Sequence, residues 1–320
     1  MTKPNKARDG IMGLAVGDAL GVPVEFKPRE YLDNNPVTDM MAYGTYDQPM
    51  GTWSDDSSLA FCLADSLIRG YDLKDMAQRF VAWKEHALWT PHGEVFDIGT
   101  TTSASLERLQ ELMENGQELT LMLDEANPAK NGNGGLMRIL PLYFYLHGRP
   151  VENQFAAIQH VTMLTHPHIR ATLANVIYLL MADFIVKGYN IRDAYEATRK
   201  KARDVYREQN IPQEEQQHFY RILEQDIAAL PRQDIFSDPY VIYSLEASLW
   251  CLLNSNSYHE TVLKAVNLGH DTDTNAAIAG GLAGLYYGEK AIPKAWRKAL
   301  VKYREVEQLA DKLGQAFPVA

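Results

Sequence analysis

Two short stretches concentrate carboxylates and hydroxyls: Ser54-Asp55-Asp56-Ser57-Ser58 and Gly269-His270-Asp271-Thr272-Asp273-Thr274-Asn275. Each stands directly ahead of an apolar run. Adjacent carboxylates repel, and the positive end of a helix offsets only part of that repulsion. Asp273 or Thr274 alone reads as an ordinary helix N-cap. The two stretches together read differently. Asp55, Asp56, Asp271 and Asp273, with the hydroxyls of Ser54 and Thr274, form a set of hard oxygen donors suited to Mg²⁺ or Mn²⁺, two ions in all. No thiol or histidine-rich cluster favours zinc.

The flanking sequence predicts the elements that must bring these donors together. The small apolar residues from Ala276 to Leu285 predict a tightly packed helix that stops at Gly288. Leu59, Cys62, Leu63 and Leu67 mark a second helix, ended by Gly70. Positions two apart do not share a helix face, so Asp271 and Asp273 can converge only through the turn that enters the helix. A short buried helix is expected over 9–22, with Glu25 on the loop after it. Residues 27–52 lack periodicity and read as a long irregular loop, a candidate lid packed down by Met50 and Trp53. A helix over 73–89 carries Met76, Phe80, Trp83 and Leu88. Asp97 precedes a helix with Leu106, Leu109 and Leu112, where it is either a cap or an active carboxylate. Asn131-Gly132-Asn133-Gly134-Gly135 is a turn whose backbone N–H groups could approach a phosphate. Arg138 beyond it is either a phosphate ligand or an ion-pair partner.

Residues 153–187 predict two helices parted at Thr165-His166-Pro167-His168, with the histidines buried or capping. The charged stretch 192–230 predicts a solvated helical layer. A buried helix over 240–253 carries Leu245, Leu249, Leu252 and the acid Glu246, and 293–313 completes the chain. No stretch alternates as strands do. The expected architecture is all-α, a compact orthogonal helical bundle, one domain over residues 1–320.

Composition narrows the function. A net charge of −10 argues against a general nucleic-acid binder. Hydrophobic residues make up 46% of the chain, enough for a substantial core. Cys62 and Cys251 sit in apolar helical patterns and imply buried thiols without a disulfide framework. No apolar run approaches membrane-spanning length, and the N-terminus lacks an apolar targeting segment. A cytoplasmic protein without membrane partners is the expectation.

An ordered set of motifs resembles the ADP-ribosylglycohydrolase family: the two acidic stretches, Gly13 to Gly21 with Glu25 and Phe26, and Phe96-Asp97-Ile98-Gly99. Asn133 to Arg138, Thr165-His166, Ser244 to Ala247, and Ile292-Pro293 with Trp296 complete the set. The resemblance implies a metal-dependent hydrolase acting on an ADP-ribosylated protein, with arginine the usual leaving group, and the all-α fold of that family. It places Asp97 and Glu25 as catalytic carboxylates and Ser54, Asp55, Asp56, Asp271, Asp273 and Thr274 as metal ligands. Gly99, Thr100, Asn133, Gly134, Gly135, Met137 and His166 would line the substrate. Ser54 stands where the family often has Thr, and His270 where it usually has Gly. Hydrolysis of O-linked ADP-ribose or a related derivative, a two-metal phosphoesterase, and a non-catalytic ADP-ribose or partner binder are the alternatives.

Overall fold

The computed structural model describes residues 5–319. Among them are sixteen α-helices and no strand. In chain order they are α1 (Lys6–Gly21), α2 (Arg29–Asn34), α3 (Asp55–Leu67), α4 (Leu73–His86), α5 (Thr100–Glu114), α6 (Leu140–Leu146), α7 (Val151–Met163) and α8 (Ile169–Val186). Then follow α9 (Ile191–Glu208), α10 (Gln213–Gln217), α11 (Tyr220–Leu223), α12 (Val241–Leu253), α13 (Tyr258–Val266), α14 (Thr272–Tyr287), α15 (Lys294–Ala299) and α16 (Tyr303–Ala316). The fold is all-α, as expected. One contiguous cluster of buried side chains runs from Ala7 to Leu313.

The centre of the molecule is the pair α1 and α14. Gly13, Gly17 and Gly21 recur every fourth residue and share one face of α1. Ala276, Gly280 and Gly284 do the same on α14. The backbones touch along these stripes. A Cβ on Gly13 would stand 2.3 Å from Gly280 O, and one on Gly17 would stand 2.1 Å from Ala276 O. Buried tyrosine hydroxyls lock the pair from outside: Tyr258 of α13 donates to Gly13 O at 2.7 Å, and Tyr178 of α8 donates to Ile278 O at 3.1 Å. At the site end, Thr272 Oγ1 donates to Gly21 O at 2.8 Å.

Around this pair most of the other helices bury apolar faces. α9 turns Ala194, Tyr195, Thr198, Ala202, Val205 and Tyr206 inward. Its charges lie outside in pairs such as Arg192–Asp226, so the expected solvated layer is present. Cys62 and Cys251 are buried free thiols. His168 caps α8 by accepting from Arg170 N at 3.2 Å, and His166 is buried.

Four expectations need correction. α8 is long and apolar enough to cross a membrane, contrary to the reading that no run approaches that length, and 78% of it is buried inside the protein. Residues 27–52 are not wholly irregular, because α2 and a 3₁₀ turn (Gly44–Tyr46) lie within them. This segment is pinned by residues distant in sequence. Arg29 donates to Leu268 O at 2.8 Å and to Arg232 O at 2.9 Å, and Asn267 exchanges two hydrogen bonds with the Val37 backbone at 2.9 Å each. Met50 does not pack the segment down; it is 46% exposed, whereas Trp53 is fully buried. Finally, α4 ends at His86 because Ala87 turns into the left-handed region, φ 54°.

A side chain at Gly17 has no room, since the opposing atom is backbone. Gly17→Val should destabilise the fold by about 3 kcal/mol or more. Gly99→Ala, whose new methyl meets only Thr102 Oγ1 at 3.8 Å, should change stability little. Chemical denaturation of both variants checks the contrast, and equal stabilities would contradict the close helix contact.

Candidate active site

The N-terminus of α3 is built on a residue the motif reading did not single out as a ligand. Asp18 of α1 is fully buried, and its carboxylate accepts from Ser54 N at 2.9 Å, Ser57 N at 3.0 Å and Ser57 Oγ at 2.5 Å. It caps α3 from a neighbouring helix, at the end where a negative charge is favourable. Ser54 Oγ lies 3.0 Å from Asp18 and 2.9 Å from Asp56 Oδ2, so a single hydroxyl proton faces two carboxylates. The only sequence signal was an acid embedded in a glycine-rich helix.

The second stretch forms the entrance of α14. Asp271 stands at the N-cap position, yet its side chain makes no capping bond. Asn133 Nδ2 donates to it instead at 2.6 Å, and also lies 2.8 Å from Ser244 Oγ of α12. Asp273 and Thr274 lie in the first turn. Thr274 Oγ1 reaches Asp56 Oδ2 at 3.3 Å across 218 positions of sequence, so the two acidic stretches do converge. Carboxylate oxygens of Asp18, Asp56 and Asp273 lie within 4.8 Å of one another, as do those of Glu25, Asp271 and Asp273.

Three buried oxygens in this cluster have no hydrogen-bond partner: Glu25 Oε2, Asp56 Oδ1 and Asp273 Oδ2. Unpartnered buried carboxylate oxygens are expensive unless a cation or proton meets them. Two sets of hard oxygens closing on shared Asp273 therefore fit one or more divalent metal ions of the oxygen-seeking kind. Asp55 is buried among the same groups but belongs to neither tight set.

Glu25 and Asp97 approach the cluster from loops. Asp97 is held at φ 52°, a conformation Asp tolerates better than most side chains. It neighbours Glu25, Asp273 and the Tyr46 hydroxyl. Tyr46 was not foreseen, because its segment has no periodicity to mark it. His270 holds a φ of 62°, in the region glycine favours, so the backbone keeps the conformation that a Gly would adopt there at less cost. Its backbone brackets the Glu25 segment, with Phe26 N donating to His270 O at 2.7 Å and His270 N donating to Lys27 O at 2.8 Å. Its side chain turns outward toward Asp238, at 3.7 Å.

The remaining candidate residues frame the carboxylates. Gly99 and Thr100 are exposed at the start of α5, which has no side-chain cap. Asn133, Gly134, Gly135 and Met137 are buried. His166 packs on the glycine turn, where a Cβ on Gly134 would meet it at 2.8 Å. Burial, then the nearby Arg138 charge, push the His166 pKa down to about 3, so it stays neutral. Arg138 is fully buried, donates to Gly134 O and Val161 O, and stacks over Phe80 at 4.8 Å. It is a structural cation beneath the turn, with its pKa lowered to about 9 by burial.

A family model described as ADP-ribosylglycohydrolase matches residues 1–320. The chain belongs to the ADP-ribosylglycohydrolase family. It is 31% identical to "ADP-ribosylarginine hydrolase Tri1" of Serratia proteamaculans, over 98% of this chain and 80% of that protein. It is 28% identical to "ADP-ribosyl-[dinitrogen reductase] glycohydrolase" of Rhodospirillum rubrum, over 98% of both. A solved structure titled "ADP-ribosylglycohydrolase-related protein complex" superposes with a TM-score of 0.80 at 30% identity, covering 99% of each chain. This member of the family is a hydrolase, and its acidic clusters are of the kind that bind metal.

The carboxyl shifts give a pH test. Burial, reinforced by Asp97 and Asp271, pushes Glu25 up to about 9, and burial moves Asp56 and Asp273 upward too. A raised carboxyl pKa means that the folded state holds a proton the unfolded chain has already released. Stability from these groups is complete below the ordinary carboxylate range and is lost as pH rises through the folded pKa. In chelator, the melting temperature should therefore fall between about pH 5 and about pH 9, and saturating Mg²⁺ or Mn²⁺ should flatten that fall. A melting temperature that rises over this window in chelator would contradict the shifts.

Proposed function

We propose that this chain removes ADP-ribose from a modified protein side chain, and that the bond it cleaves is the N-glycosidic link to arginine. The observation that carries the proposal is the convergence of Asp18, Asp56, Asp271, Asp273 and Glu25 beside Asp97, in a chain of this family. The arginine linkage is supported by two relatives, 31% and 30% identical to this chain, that are named ADP-ribosylarginine hydrolases.

Cleavage at the anomeric carbon builds positive charge on the ribose, as in glycoside hydrolysis generally. Carboxylates beside that carbon stabilise the charge. Ser54, Asp55, Asp56, Asp271, Asp273 and Thr274, with Asp18 added from the structure, are the residues that would hold two Mg²⁺ or Mn²⁺ ions. Bound there, such ions supply positive charge for ribose hydroxyls and lower the pKa of a water. Asn133 fixes the Asp271 carboxylate. Asp97 and Glu25 hold and move the proton exchanged with the water and the departing nitrogen. The uncapped first turn of α5, at Gly99 and Thr100, offers N–H groups for a phosphate. Gly134, Gly135 and His166 pack beside this turn, with Gly134 close to Thr102, and Met137 is buried beyond them.

Asp97→Asn keeps the loop's shape while removing the titratable group. Turnover on ADP-ribosyl-arginine should fall by about 10²–10⁴-fold, with metal and ADP-ribose binding retained. Near-normal turnover would move the proton role to Glu25, and lost metal binding would make Asp97 a ligand.

The test of the function itself is release of ADP-ribose from an arginine-modified protein, with and without chelator. Metal-dependent release is expected, and Asp56→Asn or Asp271→Asn should abolish it. Release of inorganic phosphate from a simple ester would favour a phosphoesterase instead. ADP-ribose binding without release would mark a non-catalytic binder.

A further inference from the structure

We infer that Phe26, Tyr46 and Phe96 form an aromatic wall that selects a guanidinium as the leaving group; this deepens the arginine reading and rests on it. The three rings run in sequence beside the carboxylates. Phe26 and Tyr46 centroids are 6.3 Å apart, edge to face, and Tyr46 and Phe96 centroids are 5.2 Å apart. Each ring is tied to a carboxylate of the site. Phe26 follows Glu25, Phe96 precedes Asp97, and the Tyr46 hydroxyl faces both acids.

Phe26 gives the strongest indication. Its φ is 63°, in a region that bulky side chains avoid, and the hydrogen bond to His270 O holds it there. The effect is to separate neighbours: Glu25 is only 5% exposed and points into the cluster, while the Phe26 ring is 64% exposed. Backbone strain that turns an aromatic ring outward contributes nothing to the core, and such strain concentrates at functional sites.

Aromatic faces next to carboxylates suit a planar cation. The ring attracts it through its quadrupole and the acids attract it through charge. A neutral base such as adenine would gain only from the rings and would leave the acids desolvated. The wall therefore belongs to the departing side chain and not to the nucleoside.

Phe26→Ala tests this, since the exposed ring supports little packing. The ratio of kcat/KM for arginine-linked over serine-linked ADP-ribose should fall about tenfold, mainly through KM on the arginine substrate. In calorimetry, agmatine, a guanidinium probe, should bind about tenfold more weakly to the variant, while ADP-ribose affinity holds. An unchanged ratio with unchanged agmatine affinity would overturn the wall, as would an equal loss of ADP-ribose affinity, which would assign the rings to adenine. If the unaltered protein releases ADP-ribose from neither substrate, the proposed function fails, and the agmatine titration still decides the wall by itself.

Discussion

The backbone contact between α1 and α14 is the constraint on which the rest of the structure depends. With Gly17 against Ala276 O and Gly21 against Asp273, no side chain separates the two helices at the site end. That closeness sets Asp18 beside Asp273, and Asp18 in turn receives the N-terminus of α3 through Ser54 N and Ser57 N. Three elements distant in sequence thus present their acids to one another because two helices lack side chains where they meet. Widening the contact by one methyl group would separate carboxylate sets whose oxygens now lie within 4.8 Å.

Such a cluster is electrostatically unfavourable by itself. Burial raises the pKa of every carboxylate in it, up to about 6 even for Asp18 and Asp271, which have the most hydrogen-bond donors. The buried Arg138 lies close enough for Asp55 to raise its pKa but forms no ion pair within 4 Å among the described residues. The apolar core offsets this repulsion, and protons or a divalent cation relieve it. Buried charges without partners strongly disfavour a fold, so their retention points to a cation that completes the arrangement. Backbone strain is placed around the same point, with Phe26, Asp97 and His270 all at positive φ.

Much of this was legible in the sequence, for identifiable reasons. The paired acids at Asp55-Asp56 and Asp271-Thr272-Asp273 stood before apolar stripes, so both chemistry and placement could be read locally. The histidines at 166 and 168 were legible because the proline between them breaks the helix. Asp18 was not, since its partners are backbone N–H groups of another helix. Tyr46 lies in a segment without periodicity. The glycines around Asn133 mark a turn in the sequence, but nothing local signals that its amide reaches Asp271. The order in 27–52 was missed because Arg29, Val37 and Asp39 are held by distant residues, among them Trp296, which donates to Asp39. In each case the missing information was tertiary.

The most direct measurement is a double-mutant cycle on Mn²⁺ affinity, with Asp56→Asn, Asp273→Asn and the combination titrated in the folded protein. If the α1–α14 contact, with α3 seated on Asp18, brings these two carboxylates onto shared metal, the losses will not add, and the double variant will bind little worse than the weaker single. Strictly additive losses, or full Mn²⁺ affinity in the double variant, would contradict a shared site.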